Sequence, residues 1–432
     1  MKTLGIIAEY NPFHHGHLYH LQKSKEITGA KYSIAIMSGN FLQRGEPAIL
    51  DKWTRTIMAL KAGIDLVIEI PFVFASQDAR GFAHAGIQLL NSLDIVDCVS
   101  FGCEEVQIDC LNELVELLKK EPLYFQQILK EELKKGGNFP KIREKAIEKY
   151  YKKYGTKFKN NSIEKLKELL KQPNNVLALE YMISLKNTNS FIKPIPIKRI
   201  GSDYLQDKLE GKYSSATAIR ERIFKNILNN NLIPLEGLSS SMPDSSYQII
   251  LNELKKGINP IGISCFEQGI FSQLRRMSVD EIKEIHGIQE GLENRLKESA
   301  ISSFNIENLI QKTKSKRYTR TRIQRILIHS LFNLKHKEIV AFNKKGPPYC
   351  RVLGMTENGK ILLKKIKSKS KLPIIIKLKN FYQQNKLSGD GLVERMLNYD
   401  ILATNLYVLG YKPKIARVGS QDYTKKIIIL DN

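Results

Sequence analysis

The pattern of the first hundred residues constrains the fold of this chain most. Short apolar runs at Thr3 to Ala8, Tyr32 to Met37, Asp65 to Ile70 and Val96 to Phe101 alternate with helical periodicity at Leu18 to Thr28, Lys52 to Gly63 and Ala79 to Leu93. Strands separated by helices cannot be joined by tight hairpins, so they predict parallel β-α-β units and a sheet covered on both faces. Ligands of such sheets lie beyond the C-terminal ends of the strands. Two loops fall at that edge: Asn11-Pro12-Phe13-His14-His15-Gly16-His17 after the first strand, and Phe101-Gly102-Cys103-Glu104 at the fourth.

The first loop carries an H-x-G-H, formed by His14, Gly16 and His17, between the first strand and the first helix. Asn11-Pro12 forces a turn, and a helix from Leu18 predicts free N-terminal amides suited to an anion. Gly16 lets backbone approach a phosphate, while His14 and His17 aim imidazoles at the same point. The competing readings are a histidine-rich surface turn and an adventitious metal site from His14, His15, His17 and His20. Further along, a strand at Ile192 to Ile200 precedes Ser214-Ser215-Ala216-Thr217-Ala218-Ile219-Arg220, which opens another helix. Ser214 or Ser215 caps that helix, and Arg199, Ser215, Thr217 and Arg220 then gather where a triphosphate would sit. Imidazoles, hydroxyls and cations without a nucleophile–base pair suit the charge that develops at phosphorus as pyrophosphate leaves. No G-x-x-x-x-G-K-[ST] is present, which argues against a P-loop NTPase. The polar loop Ser38 to Ala48 lies at the same sheet edge, with Gln43, Arg44 and Glu46 placed to hold a second substrate or merely to connect strand to helix.

Residues from about 108 to 185 are charged and helical and read as an insertion into this sheet domain, which spans residues 1–228. Residues 229–432 read as a mainly helical, basic region, with a linker around Pro234 to Asp244 and a final unit of a strand (Cys350 to Leu353), a lysine-rich helix (Gly359 to Ile366) and a second strand (Leu372 to Ile376). Lys and Arg number 68 against 44 Asp and Glu, a net charge of +24, which points to a polyanionic partner. The cations cluster: from Gln311 to Arg325 no acid interrupts the run. Lys316, Arg317, Arg320, Arg322 and Arg325 are therefore RNA-contact candidates, with Tyr318 as a stacking plane. The alternative is a solvated helix face. Five cysteines without a C-x-x-C pair argue against a disulfide framework and a structural zinc, so no protein metal site is expected. The longest apolar stretch, Ala62 to Ala75, is broken by Asp65 and Glu69, and the chain enters a strand directly. A cytoplasmic protein with no membrane contact and no protein partner is expected.

The run G-I-I-A-E-Y-N-P-F-H-H-G-H, followed by S-G-N-F-L-Q-R-G-E-P-A, F-G-C-E, N-N-V-L-A-L-E-Y, S-S-A-T-A-I-R and K-R-Y-T-R-T-R-I-Q-R, resembles the bacterial tRNA(Met) cytidine acetate ligase family over nearly the whole chain. The H-x-G-H alone is shared by a wider superfamily of nucleotidyltransferases and class I aminoacyl-tRNA synthetases. The resemblance implies an α/β, Rossmann-like HUP domain with a helical insertion and a mainly helical C-terminal domain that binds tRNA. It implies that ATP, with Mg2+ as a companion ion, activates acetate as acetyl-adenylate, and that the acetyl group passes to N4 of the wobble cytidine of elongator tRNA(Met). His14 and His17, placed by the residues themselves to act on charge at phosphorus, are the catalytic candidates. ATP contacts would come from Ile7, Ala8, Glu9, Tyr10, Asn11, Pro12, Phe13, His14, His15, Gly16, His17, Leu18, Tyr19 and His20, with Gly102, Asn174 (or its neighbour Asn175) and Arg199. Cys103 stands where the family pattern has a small hydroxyl residue. The alternatives to a ligase are a nucleotidyltransferase that adenylates a small phosphorylated metabolite and a non-catalytic RNA-binding protein.

Overall fold

Strands β1 (Thr3–Ala8), β2 (Tyr32–Ser38), β3 (Leu66–Ile70), β4 (Cys98–Cys103) and β5 (Lys193–Lys198) pair in parallel in the order β5-β4-β1-β2-β3. The computed structural model describes residues 2–104, 108–137, 139–155, 162–200, 211–228, 237–258, 260–384 and 391–431. Part of the expected linker, residues 234–236, lies outside the described residues. Side chains alternate across the sheet as the pleat requires. Ile34 and Ile36 of β2 join one core and Ala35 and Met37 the other. Helices α1 (His15–Thr28) and α2 (Lys52–Lys61) cover the second face, while the short α3 (Phe72–Ala75) and α4 (Ala79–Ser92) cover the first. Helix α4 lies close on β1 because position 86 has no side chain; a Cβ there would stand 2.7 Å from Ile7 Cδ1.

The chain moves from β1 to β2 on one side but places β4 on the other. This reversal opens a crevice beyond the C-terminal ends of β1 and β4, where the histidine turn and Gly102 lie. Helices α5 (Ile108–Lys120), α6 (Leu123–Lys134), α7 (Phe139–Tyr154), α8 (Ile163–Lys171) and α9 (Pro173–Asn187) form the insertion before β5. Helix α10 (Ala216–Leu228) returns to the crevice, and α11 (Asp244–Lys255) packs on α2.

Helices α12 (Glu267–Arg276), α13 (Val279–Glu284), α14 (Leu292–Ser302), α15 (Ile306–Thr313), α16 (Arg320–Leu331) and α17 (His336–Lys345) form the helical region. Aromatic rings join it to the sheet: Phe332 stacks on Phe72 with centroids 4.1 Å apart, and Phe41 packs edge-on against Phe332 at 5.1 Å.

The sheet is not wholly parallel as expected. Strand β6 (Cys350–Thr356) pairs antiparallel with β3, and β7 (Ile374–Ile375) and β8 (Ile428–Leu430) pair with β6, completing an eight-stranded sheet. The outer edge of β3 would otherwise present unpaired N–H and C=O groups, which β6 satisfies. The boundary at 228/229 therefore separates segments that share one sheet. Helices α18 (Glu357–Lys369), α19 (Leu378–Gln384), α20 (Leu392–Tyr407) and α21 (Gln421–Thr424) complete this end of the chain.

A buried ion cluster ties that end down. Lys52 Nζ lies 2.9 Å from Glu69 and 2.8 Å from Asp422, while Arg351 reaches Asp422 at 2.5 Å and Glu69 at 3.4 Å. Two cations face two anions, and each charge is nearly inaccessible to water. Removing one partner of such a cluster leaves an uncompensated buried charge, which costs about 3–5 kcal/mol. Asp422→Asn should therefore lower unfolding stability by about that much, with the loss read from urea denaturation. A change below about 1 kcal/mol would show that α21 does not anchor the sheet edge.

Candidate active site

The histidine turn is built by a reciprocal cap. Helix α1 begins at His15, three residues earlier than the periodicity suggests, because His14 serves as its N-cap. Gly16 N donates to His14 Nδ1 at 3.0 Å, and His14 N donates to His17 Nδ1 at 3.3 Å. An imidazole that accepts a backbone N–H at Nδ1 must, when neutral, carry its proton on Nε2. Both rings thus present Nε2–H donors, with centroids 3.9 Å apart.

Two expectations need correction here. The first amides of α1 are not free: His15 N donates to Ser241 O at 3.1 Å, Gly16 N to the His14 ring, and His17 N and Leu18 N to His14 O at 2.9 and 3.1 Å. The anion donors at this point are imidazole N–H groups. Gly16 makes room for a ring as well as for a ligand, since a Cβ there would lie 2.7 Å from His14 Cε1.

The surroundings hold the rings neutral. Tyr10 and Phe13 are buried core residues that back His17 with ring centroids at 5.0 and 5.5 Å. Burial, then the positive charges of Arg199 and Arg220, lowers His14 to about 3. His17 is held well below the ordinary imidazole value by burial, with His14, Arg199 and His20 adding to the effect. His20, lowered to about 4 by burial and Arg199, shares a 2.6 Å hydrogen bond with Ser100. Arg199 thus faces His14, His17 and His20 together, and its stem runs over Gly102, where a Cβ would lie 3.2 Å from Arg199 Cγ. Ile7 and Ala8 end β1, half-buried, and Tyr19 meets Tyr213 edge-on at 6.2 Å. Leu18 packs against the core, and Pro12 follows Asn11, whose side chain receives Ile49 N at 2.7 Å. His15 turns toward Lys212.

Ser215 caps α10, accepting Ala218 N at 3.0 Å, as one of the two serines was expected to do. Arg220 donates to Asn11 O at 3.0 Å, to Glu46 at 3.3 Å and to Thr217 Oγ1 at 3.4 Å, so it clamps the histidine turn to the loop after β2. Asn174 and Asn175 both meet Glu104. Asn175 is buried and accepts Glu104 N at 3.0 Å, whereas Asn174 is partly exposed and donates to the Glu104 carboxylate. Of the two, Asn174 is the one that faces solvent.

Arg55 is the residue that sequence reasoning missed. Fully buried, it donates to Glu9 O at 2.6 Å, Ser38 O at 3.1 Å, Leu50 O at 2.9 Å and Gly39 O, and so fixes the ends of β1 and β2. Its helix carries polar and apolar residues together on its buried side, Lys52, Thr54 and Thr56 among them, so the sequence offered no clear signal.

The basic run is less bare than its sequence. Arg317 pairs with Glu290, and Arg320 grips Glu307 through two bonds of 2.6 Å. The acids missing between Gln311 and Arg325 are supplied by neighbouring segments of the fold. Tyr318 is buried, donates to Gln289 O and is covered by the Arg322 guanidinium at 4.7 Å, so it is not an open stacking plane. Lys316 is exposed. Arg325 donates to Gln43 O at 3.3 Å, and Gly45, with φ +74°, rests on the α16 backbone so closely that a Cβ would fall 2.2 Å from Arg325 N. The basic helix therefore borders the cleft.

The HIGH nucleotidyl transferase family pattern matches residues 1–422. The tRNA(Met) cytidine acetate ligase of Thermoanaerobacter sp. (strain X514) is 46% identical over 412 residues, 95% of this chain and 96% of that protein. That of Halothermothrix orenii is 41% identical over 428 residues, 99% of each. The chain belongs to the tRNA(Met) cytidine acetate ligase family. A solved member of the family, Thermotoga maritima TmcAL, matches the whole chain at 36% identity, with a TM-score of 0.94 in its apo form and 0.91 when bound with alpha-thio ATP.

A lowered imidazole value has a definite sign in stability. The unfolded chain takes up protons as pH falls through about 6.5, whereas folded His20 and His14 do so only near 4 and 3. The neutral, folded rings are fully tolerated above pH 6.5, and stability should fall below it by about 1.4 kcal/mol per pH unit for each such histidine. Nitrogen NMR should show His14 and His17 as Nε2–H tautomers that do not titrate between pH 8 and pH 5. Titration near 6.5 would contradict the reciprocal cap.

Proposed function

We propose that this protein is an ATP-dependent ligase that activates acetate as acetyl-adenylate and acetylates N4 of the wobble cytidine of elongator tRNA(Met), giving N4-acetylcytidine with release of AMP and diphosphate. The observation that carries this reading is the convergence of two neutral Nε2–H donors, Arg199 and the Ser215-capped start of α10 on one crevice. The name borne by the relatives and the alpha-thio ATP bound by the Thermotoga maritima protein support ATP as the nucleotide, with Mg2+ as its expected companion. The protein would act in the cytoplasm, where its RNA and ATP are found.

Attack of an acetate oxygen on the α-phosphorus releases pyrophosphate and concentrates negative charge on the phosphoryl oxygens. Fixed N–H donors in a site shielded from water stabilise that charge without reorganising. Neutral imidazoles suit the task, because they donate without exchanging protons over the working pH range. The exocyclic amine of cytosine is a weak nucleophile that would not attack free acetate, whereas the adenylate offers it a good leaving group held in place. An acyl-enzyme on Cys103 is disfavoured because burial pushes that thiol up to about 12, leaving almost no thiolate. The basic helix α16, which meets the loop after β2 through Arg325 and carries Arg320 in its first turn, and the segment before it with Lys316 and Arg317 support an RNA partner whose target base enters from that side.

Isotope exchange between pyrophosphate and ATP tests the first half-reaction. Exchange should require acetate and proceed without tRNA. His17→Ala should slow it by about 100- to 1000-fold, the usual effect of deleting one transition-state donor. Acetate-independent exchange, or a His17→Ala variant at full rate, would favour adenylation of a different acceptor or a purely structural histidine turn.

A further inference from the structure

On the reading above the cleft receives two anions, a triphosphate and acetate, yet Glu9 sets a carboxylate at the end of β1, against the loop after β2. An acid there weakens the binding of both unless a later step needs it. The amine step does, since the N4 nitrogen must shed a proton after it attacks the acetyl carbon. We propose that Glu9 accepts this proton. The proposal rests on the acetyl-transfer reading above and assigns a role that the first half-reaction does not use.

The placement supports it. Glu9 follows β1 directly and stands between the histidine turn and the loop after β2. Its backbone carbonyl is fixed by Arg55 at 2.6 Å, and Oε1 accepts Gln43 N at 2.9 Å. Among the described residues Oε2 has no hydrogen-bond partner, so one oxygen anchors the carboxylate while the other is left for a substrate. The charged and titratable groups around it are Arg44 and Glu46 from the loop after β2, Arg220 from α10, Arg55 from α2 and Tyr181 from α9. Burial raises the carboxyl above its ordinary value, with Glu46 acting in the same direction and Arg44, Arg220 and the Gln43 amide opposing. A carboxylate that is harder to ionise is a stronger base.

The step balances. The N4 lone pair forms a bond to the acetyl carbon, the carbon–oxygen bond to the phosphoryl group breaks, AMP departs with that electron pair, and the N4 proton moves to Glu9. Adenylate, RNA amine and carboxylate become acetylated RNA, AMP and a carboxylic acid, which later returns its proton to solvent.

Glu9→Gln separates the two roles Glu9 could have. An amide oxygen still accepts Gln43 N–H, so the loop anchor survives, but glutamine cannot take a proton. Single-turnover acetylation of tRNA(Met) and acetate-dependent pyrophosphate exchange would be measured on the same preparations. The ratio of transfer to exchange should fall at least about 100-fold in Glu9→Gln and be partly restored in Glu9→Asp. The wild-type transfer rate should show an acid limb above the ordinary glutamate range, absent from the residual Glu9→Gln rate. A Glu9→Gln protein with an unchanged ratio would overturn the proposal and leave Glu9 as a loop anchor. An equal loss in both reactions would also overturn it, placing Glu9 in adenylation or binding. Failure of the wild-type protein to acetylate tRNA(Met) would instead refute the reading on which the proposal rests.

Discussion

Two backbone N–H groups donated to two imidazole nitrogens decide what this cleft can do. Because Gly16 N and His14 N occupy the Nδ1 positions of His14 and His17, each neutral ring keeps its proton on Nε2 and directs it away from the helix. A histidine cap therefore does what serine or aspartate does at most helix starts and adds a pair of outward donors. Everything near the turn preserves this state. Tyr10 and Phe13 exclude water from His17, Arg199 and Arg220 oppose protonation, and the absence of a side chain at Gly16 leaves space for the His14 ring.

Three arginines convert this local device into a cleft. Arg55 gathers the ends of β1 and β2 through their carbonyls, Arg220 joins the histidine turn to Glu46, and Arg325 joins the same loop to the helical region. The loop after β2 is thus held from three sides, and the basic helix α16 borders the crevice. Farther off, the cluster of Lys52, Glu69, Arg351 and Asp422 fixes the last part of the chain to the edge of the sheet. Its buried charges favour one arrangement strongly, because any other would strand one of them.

The parts of this architecture legible in the sequence are those governed by period and local chemistry. Strands β1 to β3 are short, mainly apolar runs, largely buried on both faces, and Ser215 caps α10 as a serine before a helical pattern should. What escaped depends on distant partners. The start of α1 could not be placed because histidine is not an ordinary cap. The antiparallel entry of β6 depends on an edge that exists only after β3 folds. Glu290 and Glu307, which neutralise Arg317 and Arg320, lie outside the acid-free run that made those arginines conspicuous. Helix α20 places Asp400 and Thr404 within its buried stripe, where they bond Phe72 N, Tyr349 and Asn40; polar residues there disguise an amphipathic pattern.

The account holds that acetate is joined to phosphorus before it reaches the base. That order leaves a trace in the products, since an acetate oxygen that attacks the α-phosphorus remains there when the acetyl group departs. Acetylation of tRNA(Met) with oxygen-18 acetate and ATP, without acetyl-CoA, followed by mass spectrometry of AMP, measures it. One labelled oxygen in AMP for each acetyl group transferred is the predicted result. Unlabelled AMP, or acetylation that proceeds only with acetyl-CoA, would contradict the account.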